Sequence, residues 1–310
     1  MSFQITEAFV KQYGANVYHL AQQKGSKLKG AVKVEQVTGE AKFFDRLGKA
    51  SAQLRTSRHA DTPQIDTPHS RRMVTLADYE CADLIDDQDK IRTLISPENE
   101  YVMAFMWSLG RSMDDVVLAA LGGNAYSGQG GQTTVALPNT QKIASVASTA
   151  GAALNVQALR RAKRVLDAND VDVSIPRYLA HTAWALENLL GQTEVTSSDY
   201  NTVKALVQGE VNTFLGFNFI RTERITDQSG SLAFDQTTGV VGSGSGDANG
   251  YDKCYAFAKD ALILGLGKDI TARISERADK SYSVQAYACM SIGAVRMEEE
   301  KVVEILSKDS

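Results

Sequence analysis

The chain has 310 residues with 43% hydrophobic content, enough for a real core in one large domain or two. Its net charge of -4 and sequence pI near 5.7 argue against a dedicated nucleic-acid-binding protein. Cys81, Cys254 and Cys289 lie far apart, which excludes CxxC and metal-ligand spacings and indicates reduced thiols made in a cytosol. The N-terminal residues lack the apolar region of a signal peptide, and no apolar run approaches about 18 residues, so we expect neither secretion nor a membrane partner.

The N-terminal residues 5–24 are predicted to form a helix, because Ile5, Phe9, Tyr13 and Val17 recur at helical spacing. The sequence GSKLKGAVKVE that follows is basic and interrupted by glycine. Such a segment is typical of an arm that leads away from a folded body. Contact with a neighbouring chain and a plain linker both fit it.

An arginine-rich segment follows residues 32–44, which have the composition of a strand pair without a tight hairpin signal. Residues 46–72 carry few large apolar side chains, and their two Thr-Pro pairs favour extended chain. A segment of this kind is either disordered or built to lie on another surface. Aromatic rings for base stacking are absent from residues 45–78, whereas arginine suits carboxylates on another subunit. The candidate contact residues are Arg55, Arg58, Arg71 and Arg72.

Residues 73–95 are predicted to begin as a strand and to become helical around Cys81–Leu94. Their acidic residues do not match the spacing of a calcium loop, so a solvated acidic face is the interpretation we prefer over a divalent cation site. The carboxylates predicted to receive the arginines of another subunit are Asp83, Asp86 and Asp87.

The stretch from Ser96 to Gly123 predicts one long helix over residues 97–121. Ser96 suits the N-cap, Pro97 suits the first helical position, and Gly122 with Gly123 suits a left-handed stop. Such a helix is about 37 Å long. Its predicted apolar face consists of Tyr101, Phe105, Leu109, Met113, Val116, Ala120 and Leu121.

The middle of the chain contains two glycine-rich passages without a nucleotide-binding signature. Gln129 and Gly130 stand where a phosphate loop needs Lys and Ser/Thr, and the GSGSG of residues 242–246 lacks the context of a dinucleotide fingerprint. Residues 155–170 predict a helix capped by Asn155, and residues 171–191 predict a strand, a turn and a short helix. Residues 226–250 have the composition of an exposed loop.

The C-terminal part is predicted to consist mainly of strands. Residues 254–267 predict one buried strand, and residues 270–274, 282–294 and 302–306 predict three more, with a charged turn at 298–300. GxSxG, HExxH and CxxC are absent, and His181 is interpreted as a packed residue rather than a base. We therefore expect no catalytic residue, no metal and no cofactor, and the composition points toward assembly.

The order of these parts resembles the tailed-bacteriophage major capsid proteins of the Hong Kong 97-like fold. The sequence IPRYLAHTAWALENLLG, followed by SSDYNTVKALVQGEVNTFLGFNFIRTERI, looks like the axial-domain pattern of that family. The ending YSVQAYACMSIGAVRMEEEKVVEIL resembles the closing segment of the family, with Gly-Ala-Val-Arg at 293–296. The resemblance covers nearly the whole chain.

This resemblance implies an α+β fold with four parts. They are an N-terminal arm at 1–34, an extended loop at 35–78, a peripheral domain at 79–171 and 271–310 with spine helix 97–121, and an axial domain at 172–270. It also implies self-assembly, as hexamers and pentamers, into an icosahedral shell that contacts packaged double-stranded DNA non-specifically. We expect a separate scaffolding protein, a portal, assembly in the host cytoplasm and location in the virion. An encapsulin-like protein-cargo shell and a soluble α+β enzyme are the alternatives.

Overall fold

The computed structural model describes residues 20–55, 57–58, 64–85, 98–147, 150–192 and 213–308. The chain divides into two compact units. The first unit comprises Met1–Ser26, Asp78–Ser112 and Lys268–Ser291, and the second comprises Lys27–Ala77, Met113–Gly267 and Ile292–Ser310. The predicted arm, extended loop, peripheral domain and axial domain are a separate division of the chain and stay a prediction.

The helices and strands are numbered within the described residues. The helices are α1 (Glu98–Gly122), α2 (Val156–Ala168) and α3 (Ala183–Leu190). The strands are β1 (Lys33–Gln36), β2 (Ala41–Leu47), β3 (His69–Thr75), β4 (Ala77–Ile85), β5 (Ala125–Ser127), β6 (Thr133–Val135), β7 (Lys142–Ala144), β8 (Val146–Ala147), β9 (Ala150–Gly151), β10 (Arg177–His181), β11 (Thr213–Phe214), β12 (Phe217–Arg221), β13 (Ala233–Phe234), β14 (Gly246–Asp247), β15 (Asp252–Ala258), β16 (Leu262–Arg277), β17 (Ser283–Arg296) and β18 (Val302–Ser307).

The second unit contains a six-stranded sheet in the order β11-β12-β10-β15-β18-β7. Helices α2 and α3 pack their buried side chains into the same apolar core as this sheet. The Asn155 side chain accepts the Ala158 N–H at 2.7 Å, and Thr182 caps α3 in the same way through Ala185. The predicted helix at 155–170, with its cap, and the predicted strand and short helix at 171–191 are therefore confirmed.

A second sheet of the same unit has the order β2-β3-β5-β6. Strands β2 and β3 form an antiparallel hairpin from the pair Ala41–Thr75 to the pair Leu47–His69. The predicted strand pair inside residues 32–44 is wrong, because β1 pairs in parallel with the start of β16 instead. Chain neighbours without a tight turn signal are free to pair with distant strands.

In the first unit, β17 lies between β4 and the part of β16 that begins at Lys268. Alternate side chains of β17 are buried, including Ala286, Ala288 and Met290. The predicted helix around Cys81–Leu94 is wrong over its described part, since β4 continues to Ile85, and the remainder lies outside the described residues. Pairing with β17 overrides the weak helical pattern there.

Helix α1 occupies Glu98–Gly122, which confirms the predicted spine helix; Ser96 and Pro97 lie outside the described residues. Its buried apolar side chains are Leu109, Met113, Val117, Leu118 and Leu121. The N-terminal half of the predicted apolar face is more open than expected: Phe105 is half-buried and Tyr101 is exposed. Val117, not Val116, continues the buried row, because buried positions recur every fourth residue from Leu109.

Residues 22–26 of the predicted arm lie against α1. Residues 20–24 are not helical, which contradicts the end of the predicted helix, and residues 5–19 lie outside the described residues. In the first unit, a Cβ placed on Gly110 would lie 2.7 Å from the Gly25 Cα, and Arg111 donates to the Gln23 carbonyl at 3.2 Å. The glycine inside the helix therefore makes room for a crossing backbone.

Residues 226–250 are not the loop with little to bury that their composition predicts. Phe234, Val241, Ala248 and Tyr251 form a buried cluster, and β13 pairs with β14. Turn residues dominate the composition of this segment. Composition averages over all residues, so it does not reveal that a few apolar side chains are buried.

The single buried strand predicted over residues 254–267 is also wrong. Strand β15 ends at Ala258, and β16 begins at Leu262 in a different sheet. An apolar run identifies burial but does not locate a turn that contains Lys259 and Asp260. The strands predicted at 270–274, 282–294 and 302–306 are present within β16, β17 and β18.

Candidate assembly surface

The loop between β2 and β3 is open to solvent over its described residues. Every described residue from 47 to 66 is exposed. Three of these residues carry large apolar side chains: Leu47 is 68%, Leu54 88% and Ile65 40% accessible. Several exposed apolar side chains on one segment are typical of a contact surface.

The loop starts and ends close together. Leu47 pairs with His69, and the Gly48 N–H donates to the Pro68 carbonyl at 2.8 Å. The hairpin strands therefore present the loop from a fixed base.

Two of the predicted contact arginines, Arg55 and Arg58, lie on this loop and are exposed. Arg55 Nε donates to the Ser57 carbonyl at 3.0 Å. Arg71 lies on β3, where its Nε is 3.2 Å from Asp45 Oδ1 and its guanidinium lies over the Phe43 ring. Because the Arg71 pair is solvent-exposed, it contributes at most about 1 kcal/mol to the fold.

Arg72 differs from these arginines because it is buried within its own chain, with 1% of its surface accessible. Its Nη2 lies 2.5 Å from Glu299 Oε1. Burial lowers the pKa of Arg72, and the Glu299 carboxylate opposes that shift. Arg46 reaches the Met297 carbonyl and the same Glu299 carboxylate, so two arginines of the hairpin anchor it to the C-terminal segment.

The C-terminal end of α1 is held by Arg296, a role that the sequence did not reveal. The Arg296 side chain is fully buried and donates to the carbonyls of Leu121 at 2.8 Å, Gly123 at 2.7 Å and Val135 at 3.1 Å. Carbonyl groups at a helix end lack partners within the helix, and a cation there is stabilising. The signal in the sequence is one arginine at the end of a mostly apolar strand.

The same helix end meets a buried carboxylate. Glu304 is 2% accessible, and Lys142 Nζ lies 3.9 Å from its Oε1. Burial raises the pKa of Glu304, with Lys142 acting in the opposite direction, and burial also raises the pKa of Tyr255. A Cβ on Gly122 would lie 2.2 Å from the Tyr255 hydroxyl, so close approach requires this glycine. The predicted left-handed stop is wrong, because neither Gly122 nor Gly123 has a positive φ.

Of the three predicted acidic contact residues, only Asp83 is described. It is exposed on β4, and its Oδ1 accepts the Leu84 N–H at 2.8 Å. Asp86 and Asp87 lie outside the described residues. Within the chain, the described partners of Arg71 and Arg72 are Asp45 and Glu299 rather than Asp83, so pairing between subunits stays a prediction for this set.

His181 is packed as predicted: it is buried, and its Nδ1 lies 2.8 Å from the Thr182 carbonyl oxygen. Burial lowers the pKa of this imidazole. Across the described residues, no group of three or more His, Cys, Asp and Glu side chains could hold a metal ion. No helix in the described part of the chain has the length and apolar content to cross a bilayer.

Among the described residues, the geometry is that of an anchored hairpin with an exposed, partly apolar loop. The family model described as phage capsid protein matches residues 5–309. The chain belongs to this family. No match was found among curated proteins.

Solved capsids share the fold of this capsid protein. The capsid of cyanophage P-SCSP1u superposes with a TM-score of 0.76 at 16% identity, over 99% of this chain and 95% of that chain. The cyanophage Pam1 capsid gives a TM-score of 0.70 at 12% identity, over 99% and 100%. The capsid of a native GTA particle gives 0.68 at 13% identity, over 97% and 96%.

The Hong Kong 97-like α+β fold and the major capsid function predicted from the sequence are therefore confirmed. The protein forms the shell of a phage virion. The family and these structural neighbours are structural proteins, which favours the capsid over the encapsulin-like and enzyme alternatives.

Proposed function

We propose that this capsid protein assembles as hexamers and pentamers and that the β2–β3 loop contacts a neighbouring subunit. In this proposal the arm is residues 1–34, the extended loop 35–78, the peripheral domain 79–171 with 271–310, and the axial domain 172–270. The exposure of Leu54, at 88% within a self-assembling protein, is the observation that carries the proposal.

The loop arginines extend this contact to carboxylates. Arg55 and Arg58 both lie on the loop, and both are exposed. Arginine offers a planar pair of donors that suits a carboxylate, and the acidic segment around Asp83 of another copy supplies such groups. Arg72 is not part of this contact in the proposal, since Glu299 of its own chain already holds it.

The remaining partners in the proposal rest on the resemblance to tailed-phage capsid proteins. They are a separate scaffolding protein, a portal, and double-stranded DNA contacted without sequence preference, with assembly in the host cytoplasm. We propose a structural role without catalysis.

The double variant Arg55→Ala, Arg58→Ala tests the contact. Exposed pairs contribute about 0–1 kcal/mol each, but a shell repeats them many times, so particle stability depends on salt. We expect the variant shell to melt at a lower temperature than wild type in low salt, and the two to converge in high salt. Thermal melting of empty shells measures this, with the isolated subunit expected to unfold as wild type does.

The matched control is Arg160→Ala, Arg164→Ala, which removes the same charge from exposed positions on α2. We expect a smaller effect from the control. Equal melting of the loop variant and wild type at every salt concentration would contradict the carboxylate contact. A loss confined to DNA-filled shells would instead assign the arginines to DNA.

A further inference from the structure

The exposed face of the sheet in the first unit brings a cysteine against a lysine. Cys289 lies on β17, and Lys268 Nζ on β16 is 3.1 Å from its Sγ. Tyr287, two residues before Cys289 and therefore on the same face, donates its hydroxyl to Glu80 Oε2 of β4 at 3.2 Å. Three strands thus place nucleophilic, cationic and acidic groups together.

The side chains around Cys289 favour its thiolate form. The Lys268 ammonium and, after it, the Tyr287 hydroxyl lower the pKa of the thiol, and Arg273 acts in the same direction. The thiolate is the nucleophilic form of cysteine, and a neighbouring cation at a partly exposed position is typical of reactive thiols. Cys289 is partly exposed.

A cavity of about 620 Å³ lies beside this cluster. Lys268, Arg273, Glu80 and Tyr287 line it, together with Arg277. Asp279 already holds Arg277 through two contacts of 2.9 and 3.0 Å, so the charge of Arg277 is largely offset. The volume falls within the range of small-molecule sites.

We propose that Cys289 is a modification site that forms a mixed disulfide with a small, carboxylate-bearing disulfide. The Cys289 thiolate attacks one sulfur of that compound, the new sulfur–sulfur bond forms, and the old one breaks. The other half leaves as a thiolate and keeps the electron pair of the broken bond. The small disulfide is itself the oxidant, so no other reactant is needed.

The charges around the sulfur explain the preference for an anionic compound. When Cys289 is deprotonated, its thiolate charge balances Lys268. Once the sulfur belongs to a disulfide it carries no charge, and Lys268 with Arg273 then faces the cavity with one carboxylate, Glu80, opposite them. A carboxylate on the attached group takes the place of the lost thiolate charge.

The other two cysteines lack this environment. Cys254 is fully buried. Cys81 is partly exposed, and its described neighbour is the neutral Ser108 hydroxyl at 4.0 Å. Cys81 therefore serves as an internal comparison for Cys289.

The test is the rate of thiol–disulfide exchange of the full-length chain with 5,5′-dithiobis(2-nitrobenzoate), which carries two carboxylates. A neutral dipyridyl disulfide is the comparison, and released chromophore is the readout. We expect a fast phase that Cys289→Ser removes. We expect Lys268→Met to slow that phase by at least about threefold, because a smaller thiolate fraction outweighs the gain in intrinsic nucleophilicity. The slowing is expected to be smaller with the neutral disulfide.

Lys268→Arg keeps the cation and is expected to retain a rate near that of wild type, which separates charge from a general loss of structure. A fast phase that survives Cys289→Ser would overturn the proposal. So would Lys268→Met reacting as fast as wild type with the anionic compound.

Discussion

At the scale of single residues, Gly110 shows how the arm and α1 depend on each other. In an exposed helix, Gly→Ala stabilises by about 0.5–1 kcal/mol. Here the added methyl group would lie 2.7 Å from Gly25 Cα, and backbone cannot move aside as a flexible side chain would. We expect Gly110→Ala to lower the free energy of unfolding by about 1–3 kcal/mol, measured by urea denaturation of isolated subunits.

Gly30→Ala is the control, because a Cβ there meets nothing within 4 Å. Its effect is expected to stay within about 0.5 kcal/mol. A Gly110→Ala subunit as stable as wild type would show that the arm does not cross the helix at this point.

Glu304 gives a prediction for pH dependence. Its folded-state pKa is raised, so the wild-type protein loses stability from this group as pH rises from the unfolded-state value of about 4.3 through the higher folded-state pKa. Glu304→Gln carries no charge at any pH. We expect the unfolding free energy of the variant minus that of wild type to grow with pH across this window and then to level off. Urea denaturation at a series of pH values measures it, and a difference independent of pH would contradict the assignment.

Some residues could be interpreted from the sequence and others could not. Asn155 was predictable because a cap acts on residues three positions away. Arg72 and Arg296 were not, because their partners lie 227 and 161–176 residues away along the chain. Spacing within a sequence carries no information about such distant pairs.

At the scale of elements, periodicity predicted α1, α2 and β17, whose buried positions repeat over many residues. It failed where tertiary pairing decides the structure: β4 extends into a stretch with a helical pattern, and one apolar run supplies both β15 and β16.

The packed segment at 226–250 offers a direct test at this scale. Phe234 is buried in the cluster with Val241 and Ala248, and Gly244 has a positive φ with the Phe234 carbonyl beside it. We expect Phe234→Ala to cost about 3–5 kcal/mol of unfolding free energy. Val240→Ala, at a 53% exposed position, is the control and is expected to change little. Equal denaturation midpoints for the two variants would contradict the burial of Phe234 and support an exposed loop over residues 226–250.

At the scale of the whole molecule, the family and the fold were predictable from the order of segments along the chain. That order is specific to the family, although each single motif is weak. The contacts at the base of the hairpin show how the loop can be removed without disrupting the rest of the fold. Arg46 and Arg72 lie on the hairpin strands and must stay, whereas the hydrogen bond from Gly48 to Pro68 leaves the ends of the loop adjacent. Residues 49–67 can therefore be replaced by a short glycine-containing turn.

Electron microscopy of purified full-length protein beside this shortened variant shows directly whether the protein forms a shell and whether the loop is needed for it. We expect closed shells of uniform diameter from the full-length protein. We expect folded subunits without closed shells from the variant, with unchanged subunit unfolding as the control. Closed shells of wild-type diameter from the variant would contradict the role of the loop, and a full-length protein that remains a monomer under every assembly condition would contradict the assembly account itself.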